Sequence, residues 1–263
     1  MILRTAAAAV AISLAACSAA PPVSQAVRDE LAPTGVLRAG MNTGNTLFTT
    51  KDASGQLQGV SVDIMQELGR RLGVPVRHVV YATPGEVADD AASGKWDVAI
   101  LAIEQARAQK IAFSPPMTEI QATYLVPSRS TLQQVGEVDA PGHRIAVSEK
   151  AGYDLYLTRT LRHATLVRGK AIGGAIEVFK RQDLDALAGL RPQLLERQHE
   201  IPGARILEGG FMTVNHGIGT PRERAAGAEY IRGLVEELNR SGFIARSIER
   251  HRVQGLSAVR PGS

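Results

Sequence analysis

The sequence predicts an α/β protein of two lobes joined by a two-strand hinge, with a ligand cleft between them. Three observations carry this. Residues 36–103 alternate short apolar strands with amphipathic helices in the order strand, helix, strand, helix, strand, which implies parallel crossovers. Residues 144–188 repeat the order, so that Lys95-Trp96-Asp97-Val98-Ala99 and Asp183-Leu184-Asp185-Ala186-Leu187 occupy equivalent places, each after an amphipathic helix. Two extended runs, 121–127 and 211–217, connect the halves going out and coming back, as a hinge between closing lobes requires.

At the start of the chain, Arg4 and the apolar run 6–16 have the length of a secretory signal and fall well short of a membrane span. The run ends in Leu14-Ala15-Ala16-Cys17, on the single cysteine of the 263 residues. Cys17 is either a lipid attachment point or a thiol left over from an ordinary cleavage nearby; a lone cysteine in an exported chain favours the first. The pattern resembles the lipobox of bacterial lipoproteins. Residues 1–16 are thus expected to be a signal peptide, and 17–33, with Ala-Ala-Pro-Pro near its start, a tether.

Folding is expected from Gly35. Residues 36–40 read as a strand and 41–59 as a polar loop with a turn at 51–55. Ser61 reads as an N-cap, and Ile64, Met65, Leu68 and Leu72 form one apolar helical stripe stopped by Gly73 and Pro75. A strand at 76–81, a helix at 84–93 and a strongly apolar strand at 96–103 complete the first set. The second set is a strand at 144–148, a helix near 153–162, a strand at 165–168, a helix with Ile172, Ala175, Ile176 and Phe179 on one face, and a strand at 184–188. A last helix carries Ile231, Leu234, Val235 and Leu238 at i, i+3, i+4 and i+7. The resulting division is lobe 1 at 34–124 and 218–250, lobe 2 at 125–217, and a C-terminal tail at 251–263.

Composition narrows the function. A hydrophobic content of 44% and a charged content of 21% suit a globular chain, and no second apolar stretch approaches membrane-spanning length. The net charge of +4 is spread along the sequence and aromatic residues make up only 4%, so the basic stripe or stacking platform of a nucleic-acid binder is missing. The histidines at 78, 143, 163, 199, 216 and 251 show no paired spacing and have no cysteine partners, which argues against a metal site. Each reads as a surface or partly packed residue. No cofactor is expected, and the chain reads as a monomer.

Four motifs point further. Gly35-Val36-Leu37-Arg38-Ala39-Gly40, Gly55-Gln56-Leu57-Gln58-Gly59-Val60-Ser61-Val62-Asp63, Gly94-Lys95-Trp96-Asp97-Val98-Ala99, and Arg107 followed by Phe113-Ser114-Pro115-Pro116 resemble, in order, those of the family 3 extracytoplasmic solute-binding proteins, the polar amino-acid receptors of ABC importers. The resemblance covers about residues 34–250. It implies a type II periplasmic-binding-protein-like fold and a non-catalytic receptor whose partners are a small amino acid or carboxylate ligand, the membrane subunits of an ABC permease, and a membrane reached through the lipid anchor. It also implies a periplasmic location. The alternatives are a cleft enzyme of the same fold, similar to cyclohexadienyl or arogenate dehydratase, with Glu104 and Glu119 as candidate acids, and a solute-sensing lipoprotein.

In open parallel sheets ligands bind beyond the carboxyl ends of strands, which directs attention to 41–48, 81–83, 102–107, 148–154 and 168–172. Arg107 lies six residues before Phe113, where relatives place an arginine that grips the ligand carboxylate, and a guanidinium suits that anion. Glu104 stands where relatives carry a hydroxyl; it could receive an ammonium or pair with Arg107 at i+3. Asn42 and Asn45 offer polar contact or turn hydrogen bonds. Tyr81 is a candidate platform, and Lys150 a candidate positive charge where relatives have Gly-Thr before a helix. Ala102 and Ala151 fall in the same strand-end segments and complete the candidate ligand contacts. The acidic residue that amino-acid receptors place about five positions after Asp185 is replaced here by Leu190-Arg191, and Lys150 and Arg191 add positive charge. The expected ligand is therefore an organic acid or an unusual amino-acid derivative.

Overall fold

A computed structural model describes residues 23–260; the signal segment and Cys17 lie outside the described residues. The chain enters through α1 (Gln25–Leu31), where Ser24 accepts from the Val27 amide as N-cap. Strand β1 (Leu37–Asn42), a small hairpin of β2 (Thr50–Lys51) and β3 (Leu57–Gln58), and α2 (Val60–Leu72) follow. The expected cap Ser61 lies inside α2 and is buried. Gly59 holds the N-cap position at φ 120°, where any side chain would collide with the Phe48 carbonyl oxygen. The stripe Ile64, Met65, Leu68 and Leu72 is buried, and Gly73 ends the helix in the left-handed conformation.

Strand β4 (Val76–Tyr81), α3 (Pro84–Asp89) and β5 (Val98–Ala102) complete the first lobe's parallel sheet, in which β1 lies between β4 and β5. A capping box between Thr83 and Glu86 starts α3, which tightens into a 3₁₀ turn at Asp90–Ala92 and so ends earlier than periodicity suggests. Strands β6 (Ile111–Phe113) and β7 (Thr118–Val126) lead out. The second lobe is built from β8 (Arg144–Ser148), α4 (Gly152–Thr160), β9 (Thr165–Gly169), α5 (Ala171–Arg181), β10 (Ala186–Leu190), α6 (Arg191–Arg197) and β11 (Arg205–Ile206), with β8 parallel to both β9 and β10. Strand β12 (Met212–Pro221) returns to α7 (Ala225–Arg240), α8 (Phe243–Arg250) and β13 (Ser257–Ala258).

The strand order β4-β1-β5-β12-β7-β10-β8-β9 describes a mixed sheet with two parallel triplets and an antiparallel pair between them. That pair is β7 with β12, in register at Ile120 and Val214. Trp96 is fully buried behind β5 and donates its indole N–H to the Val87 carbonyl at 2.9 Å, which satisfies its one polar atom.

Two expectations change at the ends. The tether expected over 17–33 does not run to Pro33, because α1 is part of the fold. Leu31 is fully buried, Arg28 reaches the Leu72 carbonyl, and Glu30 accepts from the Gly227 amide at 2.7 Å, docking α1 on α7. The expected tail also contributes structure: Leu256 is buried, and β13 adds to the edge of β7 opposite Thr118 and Glu119.

Candidate functional site

The parallel strands end around one small cavity. Asn42 closes β1, Ala102 closes β5, Ser148 closes β8 and Leu190 closes β10, and all four line it, as do Gly40 and Val214. The cavity is about 50 Å³. Its lining mixes apolar side chains with Asn42, Asn45, Thr49, Ser61, Gln193, Arg107 and His216, and among the described residues includes no aspartate or glutamate.

Five of the residues singled out from the sequence meet here: Arg107, Asn42, Asn45, Ala102 and Ala151. Both asparagines also make turn hydrogen bonds, Asn42 Oδ1 accepting from the Gly44 amide at 3.0 Å and Asn45 Oδ1 from the Leu47 amide at 3.3 Å. Three others do not line the cavity. Glu104 is buried, but its carboxylate is held by Arg159 of α4 at 2.6 and 2.9 Å rather than by Arg107. Tyr81 turns its hydroxyl to Asp90 at 3.0 Å, and burial with that acceptor raises its pKa to about 12. Lys150 sends its ammonium to Asp89 at 2.6 Å. Arg191 is also elsewhere, spent on Gln121 and the carbonyls of Leu207 and Gly209. It lines a wider groove of about 670 Å³ formed with the 251–255 segment.

Two of these departures, Glu104 and Lys150, have a common physical reason. Glu104, Lys150 and the neighbouring Lys170 face charges on the opposite lobe, and in this conformation the lobes are closed through Glu104–Arg159, Asp89–Lys150 and Glu86–Lys170. The two lysine pairs are largely exposed and contribute little individually. Glu104 is nearly inaccessible, so its pair matters more. Lys150 is held at φ 54°, an uncommon conformation for a lysine. This geometry turns its carbonyl toward Arg107 Nη2 at 2.8 Å.

Closure also depends on small residues. A Cβ on Gly152 would stand 2.7 Å from the Ala102 Cβ across the cleft, too close for both to keep their places. Gly152→Val is expected to keep the fold and to weaken solute binding at least about tenfold, roughly 1.4 kcal/mol, by holding the lobes apart; calorimetric titration beside a thermal melt checks this.

The electrostatics centre on Arg107 and His216. Arg107 is 5% exposed, donates from Nη1 to the Ala102 carbonyl at 3.0 Å, and has no hydrogen-bond partner at Nε among the described residues. Burial lowers its pKa to about 10, so it remains a cation at neutral pH. The His216 ring lies tilted against Phe48, another lining residue, with centroids 4.7 Å apart, and its buried Nδ1 lacks a partner among the described residues. Burial, reinforced by the Arg107 charge, lowers its pKa to about 3, which keeps the ring neutral. Thr49 Oγ1 is likewise buried without a partner. Unpartnered buried polar atoms are costly and uncommon, yet three belong to residues lining this one cavity.

The His216 shift makes a prediction about pH. Between about pH 6.5 and 3 the unfolded chain binds a proton that the native state does not, so stability rises with pH across this window and is lost as pH falls. From pH 7 to 5 this group removes about 2 kcal/mol of stability. Urea melts at the two pH values should show that increment in the wild type and its absence in His216→Phe.

Sequence reasoning missed His216, Thr49, Ser61 and Gln193. His216 offered a weak signal, as the only ionisable residue in the extended run 211–218. The others are ordinary hydroxyl and amide residues whose relevance depends on tertiary placement.

Two α/β lobes bridged by paired strands, with a polar cavity at the strand ends between them, define a two-lobed solute-binding protein. The chain belongs to the bacterial extracellular solute-binding proteins, family 3, whose model matches residues 37–253. A mutant of ArgBP from T. maritima is similar in structure at 24% identity, covering 86% of this chain and 98% of that one with a TM-score of 0.71. A solute receptor for L-cysteine of Neisseria gonorrhoeae matches at 18% identity over 86% and 93% of the two chains, TM-score 0.72. An ancestral amino acid-binding protein, a precursor of cyclohexadienyl dehydratase, matches at 20% identity over 84% and 97%, TM-score 0.70. Among curated proteins, a 3-deoxy-manno-octulosonate cytidylyltransferase of Chlorobium phaeobacteroides (strain BS1) is 32% identical over 111 residues, 38% of this chain. The chain spans only 43% of that relative's length. No helix among the described residues is long and apolar enough to cross a membrane.

Proposed function

We propose that this protein is the substrate-binding receptor of an ABC importer. A small solute with a carboxylate enters the cleft, Arg107 grips it, the lobes (34–124 with 218–250, and 125–217) close, and the closed form docks on permease subunits in the membrane. The observation that carries this is the Arg107 guanidinium, a buried cation tied to two carbonyls with Nε unpartnered. Glu104 and Asp89 act on this charge without forming an ion pair with it, being engaged by Arg159 and Lys150. A buried charge with no carboxylate in contact is unfavourable, and a solute carboxylate would relieve that cost while favouring the closed state, which is what ligand-driven closure requires. Cys17, as a diacylated first residue, would keep the receptor at a membrane near its permease. Cys17→Ser should then move the protein from the membrane fraction to the soluble fraction.

A dehydratase reading needs an acid at the cavity, and the available geometry supports binding better. Glu104 is neutralised by Arg159, and Glu119 is exposed on β7 opposite β13. The test is uptake of a radiolabelled solute that the purified protein binds, in cells with and without this chain. Uptake that depends on the chain and on the permease supports import; binding without any effect on uptake overturns the importer reading.

A further inference from the structure

We infer that the solute is a short carboxylate carrying no amine. This rests on the receptor reading above and narrows its ligand.

The charge balance of the cavity leads to it. Arg107 contributes one buried positive charge, His216 is held neutral, and no lining residue is acidic. A monoanion brings the sum to zero. A zwitterionic amino acid adds no net negative charge, leaving Arg107 with only the more distant Glu104 and Asp89, themselves paired with Arg159 and Lys150, and it adds an ammonium close to the guanidinium with no lining carboxylate to receive it.

Neutral acceptors line the cavity but bring no negative charge. The side-chain oxygens of Asn42 and Asn45 each already accept one amide N–H, from Gly44 and Leu47, and the Ala102 carbonyl accepts from Arg107, so an ammonium there would find dipoles and no carboxylate beside a guanidinium that repels it. At the end of β10 the wall is Leu190, buried and apolar. The groups left without partners, Arg107 Nε, Thr49 Oγ1 and His216 Nδ1, suit a carboxylate with a neighbouring hydroxyl or carbonyl oxygen.

Size and approach agree with this. About 50 Å³ is roughly a third of the ~150 Å³ that encloses benzene, which favours the smallest acids, acetate and glycolate, over lactate, pyruvate and glycerate. Arg107 also borders an adjoining cleft of about 200 Å³, where Lys110 and Lys150 outnumber Asp89, and such a rim draws anions inward.

The experiment uses the purified full-length mature chain, unfolded and refolded to remove any carried-over solute. It is titrated calorimetrically with matched pairs: glycolate against glycine, lactate against L-alanine, and glycerate against L-serine, with acetate and pyruvate as further probes. The expected result is that at least one amine-free acid binds, and at least about tenfold tighter than its amino counterpart. Leu190→Asp, which places a carboxylate on the wall, should shift preference toward the amino acid of the same pair. Amino acids binding as tightly as or tighter than their partners, with that binding lost in Arg107→Ala, overturns the inference and leaves the receptor reading standing. No binding by any member of the panel overturns the inference and the carboxylate-receptor reading together.

Discussion

Replacing Arg107 by alanine is expected to weaken solute binding by about 30-fold to several thousand-fold, the equivalent of roughly 2–5 kcal/mol for truncating one partner of a buried, hydrogen-bonded charge pair. The guanidinium makes two ties from one place and keeps one buried donor for the proposed solute. Nη1 ties to the Ala102 carbonyl at the end of β5, Nη2 reaches the Lys150 carbonyl on the other lobe, and Nε belongs to a cavity-lining residue with no protein partner. Lysine could not reproduce this fork, because its ammonium is a point charge on a flexible stem, so Arg107→Lys should lose most of the affinity as well. The contrast is Lys150→Ala. The Lys150–Asp89 pair is about half exposed on both sides, and its loss should change affinity only a few-fold. Calorimetry on the three variants separates a residue that holds the solute from one that helps hold the lobes.

The second large effect concerns stability. Asp97→Ala is expected to destabilise the fold by about 3–5 kcal/mol, lowering Tm by roughly 6–20 °C. Asp97 has no solvent exposure. It accepts from the Arg38 amide at 2.9 Å, from Arg38 Nε and Nη2 at 2.8 and 2.6 Å, and from Arg224 Nη1 at 2.7 Å. One carboxylate thereby joins β1, the approach to β5 and the segment between β12 and α7. Removing it leaves two largely buried arginines and a backbone N–H without their acceptor. Urea unfolding should show a lower midpoint with an unchanged slope, and a midpoint within experimental scatter of the wild type would contradict the assignment.

The repeated strand and helix grammar was readable because it rests on local periodicity. The stripe from Ile64 to Leu72 and the face Ile172, Ala175, Ile176 and Phe179 are buried as their spacing predicts. The short helices α1, α6 and α8 were not legible, since seven or eight residues scarcely sample two helical turns. What stabilises α1 is contact with α7 across almost two hundred residues of sequence.

The site divides in the same way. Arg107 could be found because a motif marks its position and its chemistry is distinctive. Glu104 and Lys150 were attractive for the same chemical reason, but their charges are met by Arg159 and Asp89 on the opposite lobe, a pairing that exists only when the lobes meet. His216 and Thr49 become cavity residues through the return of β12 beside β5 and the folding of the 41–59 loop over the strand ends. Neither fact is encoded in residue type. The loss of an acid at Leu190 was visible in sequence, and its meaning sharpened once no other acid lined the cavity.

If the proposed function holds, a solute carboxylate completes the buried Arg107 between closed lobes. The direct measurement is a crystal structure of the protein with the tightest-binding acid of the panel. A carboxylate oxygen is expected at hydrogen-bond distance, roughly 2.7–2.9 Å, from Arg107 Nε, with Thr49 or His216 engaging the same molecule. A solute seated elsewhere, in the groove beside Arg191 for example, or one whose carboxylate points away from Arg107, would contradict it.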